Sequence, residues 1–282
     1  MNIPADTRLY DLAPSPNSMK ARIGLNLKSV PYKKIAVDPN DRAAVVKVSG
    51  QPLTPVMLAG SQVVYDSHGI LRWLDGNVKK GPRLFSADYQ TMKTIEEWES
   101  FARTGLANSV RVMFGMAFGR IPVTDAAVAA ANAAFAADTA RIEEALAKGP
   151  WLVGGQLSAA DIMVATNLFY ATNPQQQVVH DLPFWSVFQR FDIGPNRERT
   201  RDWVARVMAW DCWLNPAASA SASKGASARK SSAKKSAPAK KAKSSPAKKA
   251  TSKPKAKPAA KAKPAAKAKP AAKAKKGKKG KK

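Results

Sequence analysis

The chain has 282 residues with 47 Lys+Arg against 20 Asp+Glu, yet its net charge of +27 is not evenly spread. Positions 215–282 hold 24 of the basic residues and no acid, so positions 1–214 carry only +3. A near-neutral body, long enough for one large or two small domains, is joined to a polycation. A single cysteine, Cys212, and two distant histidines exclude an intramolecular disulfide, Cys-x-x-Cys exchange and any common zinc spacing. The expected metal is therefore none.

The first element is a short apolar strand, Leu9–Leu12, which runs into the turn and helix-start signal Ala-Pro-Ser-Pro-Asn-Ser. Met19, Ile23, Leu27 and Val30 follow at helical spacing and predict one buried helix face, stopped by Pro31. Tyr32–Val37 reads as a second strand and Arg42–Val48 as a short helical piece. Pro55–Leu58 and Gln62–Tyr65, separated by Ala-Gly-Ser, predict a hairpin. Asp66 and Ser67 then cap a helix with apolar positions Ile70, Leu71 and Leu74. Residues 1–78 thus follow a β-α-β-α-β-β-α order, and 79–87 are expected to be a linker.

From 88 to 214 the patterns are helical, with no convincing strand. Asp88–Phe118 predicts one long helix or a pair, carrying Ile95, Trp98, Phe101, Leu106, Val110 and Phe114. Val128, Phe135, Ile142 and Leu146 mark an Ala-rich helix ended by Gly149-Pro150, and Trp203, Val207, Trp210 and Leu214 the face of a last one. Between them, Ser158 and Asp161 form the Ser-x-x-Asp signature of a capping box. Met113, Phe114, Met116 and Phe118 suit either core packing or an apolar ligand pocket. Arg103 and Arg111 read as solvated or salt-bridged, and His68 as a surface residue at a helix start.

Residues 215–282 contain three copies of Lys-Ala-Lys-Pro-Ala-Ala, at 255–260, 261–266 and 267–272, and no aromatic, Leu, Ile, Val or Met. Such a tail cannot bury enough apolar surface to offset roughly 1–2 kcal/mol of backbone entropy per residue, and is expected to be disordered when alone. Neutralised phosphates release counterions, so the expected partner is DNA or RNA, without sequence preference. Lys248, Lys249, Lys255, Lys257, Lys261, Lys263, Lys267 and Lys269 are the candidate phosphate contacts. A membrane surface, another polyanion or a merely solubilising role are the alternatives. The Ser245-Pro246-Ala247-Lys248-Lys249 unit resembles the Ser-Pro-x-Lys-Lys units of linker histone tails.

Three segments carry a second resemblance. Ser15-Pro16-Asn17-Ser18-Met19-Lys20-Ala21-Arg22 looks like the active-site turn of glutathione S-transferases. Thr54-Pro55-Val56-Met57-Leu58 resembles their cis-proline segment, and Tyr65-Asp66-Ser67-His68-Gly69-Ile70 their turn into the third helix. The resemblance implies a thioredoxin-like α/β N-terminal domain followed by an all-α helical bundle domain, in a homodimer. It implies glutathione as co-substrate, conjugated as a thiolate to an electrophilic small molecule. Ser15 is then the candidate catalytic residue, unless it or Ser18 merely caps the helix. By the Arg22 anchor, Asp11 rather than Tyr10 falls at the family's tyrosine position. Ser67 and Asp66 at a helix N-terminus, Thr54 beside a cis Pro55, and Gln51 are the candidate glutathione-binding residues. With no signal-length apolar segment at Met1–Tyr10 and no run near the roughly 18 apolar residues of a membrane span, a cytoplasmic site is expected, with nucleoid or chromatin association through the tail. The alternative function is a non-catalytic dimerisation module that serves the tail.

Overall fold

A computed structural model describes Pro4 and residues 6–216. The chain begins with strand β1 (Arg8–Asp11), helix α1 (Pro16–Leu27), β2 (Lys33–Ala36), α2 (Ala43–Ser49), β3 (Val56–Ala59), β4 (Gln62–Tyr65) and α3 (Ser67–Asn77). The four strands form one sheet in the order β2-β1-β3-β4. β1 runs parallel to β2, as a crossover through α1 requires, and antiparallel to β3, which pairs with β4 as the predicted hairpin.

Helix α1 is buried from Ser18 to Leu27, on all its faces rather than along the single stripe that its spacing predicts. It packs on α3 on one side and on the helical domain on the other. Gly24 is where α1 meets α3. A β-carbon there would sit 2.5 Å from Leu71 Cδ2. The helix stops at Leu27, not at Val30. Ser29 turns into the left-handed region with φ 50°, and Val30 then enters the sheet-side core with Leu9, Leu25 and Met57.

The second half is helical: α4 (Tyr89–Thr104), α5 (Ala107–Ala117), α6 (Asp125–Leu146), α7 (Ala159–Leu168), a 3-10 turn (Phe169–Thr172), the short α8 (Gln177–His180) and α9 (Trp185–Phe188), and α10 (Glu198–Met208). The Asp88–Phe118 pattern therefore resolves as a pair, broken around Gly105. The last helix ends at Met208, earlier than the Trp203–Leu214 spacing suggests, and leaves Trp210 39% exposed. Helix α7 is the axis of this domain and is buried along nearly its whole length. Its entry is the expected capping box of Ser158 and Asp161. The Asp161 carboxylate accepts from Ser158 N–H (2.8 Å), Ser158 Oγ (2.9 Å), Leu152 N–H (2.9 Å) and Trp203 Nε1 (2.9 Å), so it also ties α10 to α7.

The two halves are joined by buried charge. Arg22, with 0% exposure, donates to Asp11 on β1, to the Ala13 carbonyl (2.9 Å) and to both oxygens of Asp211. Burial works against its charge, but the two carboxylates more than offset that and hold the guanidinium protonated. Asn26 donates to the Trp210 carbonyl at 2.8 Å, and Tyr32 Oη lies 3.2 Å from Cys212 Sγ. The segment after α10 is thus fixed against α1 and the residue that precedes β2.

Candidate active site

Sheet register gathers the predicted site. Tyr10 is opposite Val56, and Val56 is opposite Tyr65. The loop after β1, the residues before β3 and the residues after β4 therefore open at the same edge of the sheet. Ser15, Thr54–Pro55 and Asp66–Ser67 occupy those three positions, and the Thr54–Pro55 peptide is cis as expected.

Ser15 is the N-cap residue of α1, with φ −75° and ψ 125°, but its side chain makes no capping hydrogen bond. Ser18 does not cap either. Its buried hydroxyl accepts from Leu12 N–H at 3.2 Å and so pins the β1–α1 loop. The same loop is held from the helical side by Tyr170 Oη, which donates to the Pro14 carbonyl at 2.7 Å. Among the described residues the Ser15 hydroxyl has no partner, and it sits beside the positive end of a helix.

Asp66 adopts φ 64° and ψ 126°, a region that costs a non-glycine residue on the order of 1–3 kcal/mol. Its carboxylate caps α3 by accepting from His68 N–H at 3.3 Å. That backbone turn delivers Ser67 to the first position of α3, buried at 3% exposure with its hydroxyl unpartnered among the described residues. A carboxylate fits this place, because the free hydroxyl and the unpaired N–H groups of a helix N-terminus both donate. Gln51 is otherwise engaged. Its amide donates to Ser49 Oγ (2.9 Å) and the Leu53 carbonyl (3.1 Å), and its oxygen accepts from Leu53 N–H (2.6 Å).

Asp66 and Ser67 line a cavity of about 450 Å³ whose other walls come from α1, α4, α5 and α7. Ser15, Gln51, Thr54 and Pro55 lie outside its lining. Asn17 and Lys20 come from α1, Ala102 and Arg103 from α4, Val110, Arg111 and Phe114 from α5, and Met163 and Asn167 from α7. Lys20 is 3% exposed and donates to Asn17 Oδ1 (2.8 Å) and Asn167 Oδ1 (3.1 Å). Burial lowers its pKa to about 8, against the pull of Asp66 and with a further push from Arg103.

His68 is not the surface residue that its position suggests. Its side chain is 12% exposed, and Nδ1 lies 3.2 Å from Glu99 Oε1, within ion-pair range but off the line of a hydrogen bond. Burial, with Arg72 and Arg103 close by, pushes His68 down to about 4. Burial also pushes Glu99 up to about 7, although Arg72 donates to it at 3.0 Å. At neutral pH His68 is uncharged and braces the turn next to Ser67.

Of the four Met and Phe residues with two readings, Met113 and Met116 are core, at 0% and 2% exposure. Phe114 lines the cavity, and Phe118 is 49% exposed and rests edge-on against Phe184. Arg103 and Arg111 are exposed at the cavity wall, and among the described residues no carboxylate lies within ion-pair distance of either. Sequence reading missed them as a set with Lys20, because only the folded chain brings α1, α4 and α5 together. Among the described residues, no group of three or more His, Cys, Asp or Glu could hold a metal, and no helix is long and apolar enough to cross a membrane. The tail lysines from Lys248 to Lys269 lie outside the described residues.

Residues 9–82 match the N-terminal domain of the glutathione S-transferase family, and residues 125–206 match its C-terminal domain. The chain belongs to that family. It is similar to a maleylpyruvate isomerase from Ralstonia sp., at 35% identity over 85 residues. That match spans 29% of this chain and 40% of the relative's length. Among solved structures, a poplar glutathione transferase shares the fold with a TM-score of 0.59, at 18% identity over 80% of this chain and 99% of that one. A theta-class glutathione S-transferase from Xanthomonas axonopodis pv. citri, solved with glutathione bound, gives a TM-score of 0.58. It is 23% identical over 74% of this chain and 97% of that one.

Proposed function

We propose that the protein is a glutathione-dependent transferase in which Ser15 activates the thiol. The observation that carries this reading is the free Ser15 hydroxyl at the head of α1, on the sheet edge it shares with Thr54–Pro55 and Ser67. Ser67, with the turn at Asp66, receives the γ-glutamyl carboxylate, and the backbone of Thr54 before cis Pro55 pairs with the cysteinyl part. Gln51 is the proposed contact for the glycine end. It would have to release its bonds to Ser49 and Leu53 to serve. The Ser15 hydroxyl donates to the sulfur, and the α1 dipole favours negative charge there, so the thiol loses its proton more readily. The thiolate then forms a bond to an electrophilic carbon as the leaving group departs with its electron pair.

The test is conjugation by Ser15→Ala, which should lower kcat/KM on the order of a hundredfold, as loss of one aligned donor does elsewhere. Glutathione affinity should stay close to that of the parent, since Ser67 and Thr54 are untouched. A parental rate in this variant overturns the role of Ser15. The relative's name supports an isomerase as a second chemistry for the same bound thiol.

The tail is proposed to hold the protein on DNA or RNA through its phosphates, and the body to pair with a second copy. About 10 engaged lysines would give a log K against log[salt] slope on the order of −9. Two tails on one dimer would raise their effective local concentration. DNA bridging by a parent chain with no turnover would instead favour the non-catalytic dimerisation module.

A further inference from the structure

The cavity beyond Ser67 holds more positive charge than glutathione chemistry alone demands. Lys20 is a buried cation with no carboxylate in ion-pair contact among the described residues, and its two hydrogen bonds go to neutral asparagine oxygens. An ammonium has three donors, so one is left over in a cavity where an unpaired charge is costly. Arg103 and Arg111 line the same space, without ion pairs among the described residues. Asp66 is the single acid in the lining and is committed to capping α3. The wall formed by α5 and α7 adds Val110, Phe114 and Met163, a surface suited to a carbon skeleton.

Resting on the transferase reading above, we propose that the co-substrate of this site is an organic acid. Its carboxylate meets Arg111 and the free donor of Lys20, and its apolar part lies on Val110, Phe114 and Met163. Arg103, 3.4 Å from the His68 ring, lines the same cavity and adds positive charge for the two anions to share. An uncharged electrophile of the same shape would leave Arg111 and the third donor of Lys20 unmet, so the site selects for the acid.

A matched pair of electrophiles, 4-chloro-3-nitrobenzoate and its methyl ester, tests this in the full-length chain. In both, the thiolate forms a carbon–sulfur bond and chloride leaves with the carbon–chlorine pair. The acid should exceed the ester by roughly tenfold in binding affinity, the range of one charge-assisted hydrogen bond. It should do so likewise in kcat/KM once each is divided by its own uncatalysed rate with glutathione, because the ester activates the ring for attack more than the carboxylate does. Arg111→Met should remove most of that advantage and Arg111→Lys should restore part of it, with the KM for glutathione unchanged. Arg111 is exposed, so both variants should fold. The basic tail is identical in all three proteins and cannot produce a difference among them. If acid and ester bind equally to the parent, or if Arg111→Met weakens both alike, the inference is overturned. If the acid binds preferentially but neither compound is turned over, the anion site stands and the transferase reading falls.

Discussion

Along the sheet edge, Ser15, Thr54, Pro55, Asp66 and Ser67 are set by backbone register. Across the cavity, Arg103, Arg111, Phe114 and Asn167 hang from three separate helices. On the first wall the useful groups are small hydroxyls and backbone amides, whose place follows from strand pairing. On the second they are long side chains, whose place follows from helix packing and can change without disturbing the sheet. In the proposed transferase, a fixed wall paired with an adjustable one would let the fold keep its thiol and exchange its second substrate.

The sharpest way to break this division is to remove the bridge between the walls. Arg22→Met strands the Asp11 and Asp211 carboxylates in the interior and should cost about 3–5 kcal/mol, read as a lower urea midpoint. A loss under about 1 kcal/mol would mean that the two walls do not share that anchor. Asp161→Ala probes the helical wall alone. It leaves four donors on Ser158, Leu152 and Trp203 unmet and should cost about 3 kcal/mol, while glutathione affinity in the surviving folded protein stays parental. Ser158→Ala removes the lesser half of the same box and should cost about 1 kcal/mol by thermal or urea unfolding. A larger effect for Ser158 than for Asp161 would reverse the assignment of the hub.

The smallest effect is one of sign. Glu99 is raised in the folded protein to about 7 from 4.5, so its contribution is complete below pH 4.5 and lost as pH rises through 7. His68 is lowered to about 4 from 6.5, so its contribution is complete above pH 6.5 and lost as pH falls through 4. The two slopes oppose each other between pH 4.5 and 6.5. In Glu99→Gln the melting-temperature deficit against the parent should shrink as pH climbs from 4.5 to 7. A deficit that is flat or grows over that range would contradict the buried, proton-holding Glu99.

The sheet wall was legible in the sequence because its signals are local. Pro16 after Ser15, Thr54 before Pro55, and Asp66 before Ser67 each name a backbone geometry within two residues. The helical wall was not, because its contacts are distant in the chain. Lys20 reaches Asn167 across 147 positions, Tyr170 reaches Pro14 across 156, and Arg22 reaches Asp211 across 189. Nothing near Lys20 in sequence distinguishes a buried cation from the solvated lysines found on most helices. Periodicity likewise marked the apolar residues of α4 and α5 without placing the break at Gly105, since both helices keep the same face inward. His68 was misread for the same reason. The helix start is visible locally, but α4, which covers it, is not.

The anchoring of Asp211 has a practical corollary for anyone trimming this chain. A cut after Leu214 removes the lysine-rich segment and keeps the acid that balances Arg22. A cut before Trp210 would remove that acid too, leave a guanidinium with half its counter-charge in the interior, and uncover Asn26 and Tyr32. Failure of such a shortened protein to fold would then be charged wrongly to the absent lysines. The first residues after α10 belong to the machinery of the body, whatever the sequence beyond them does.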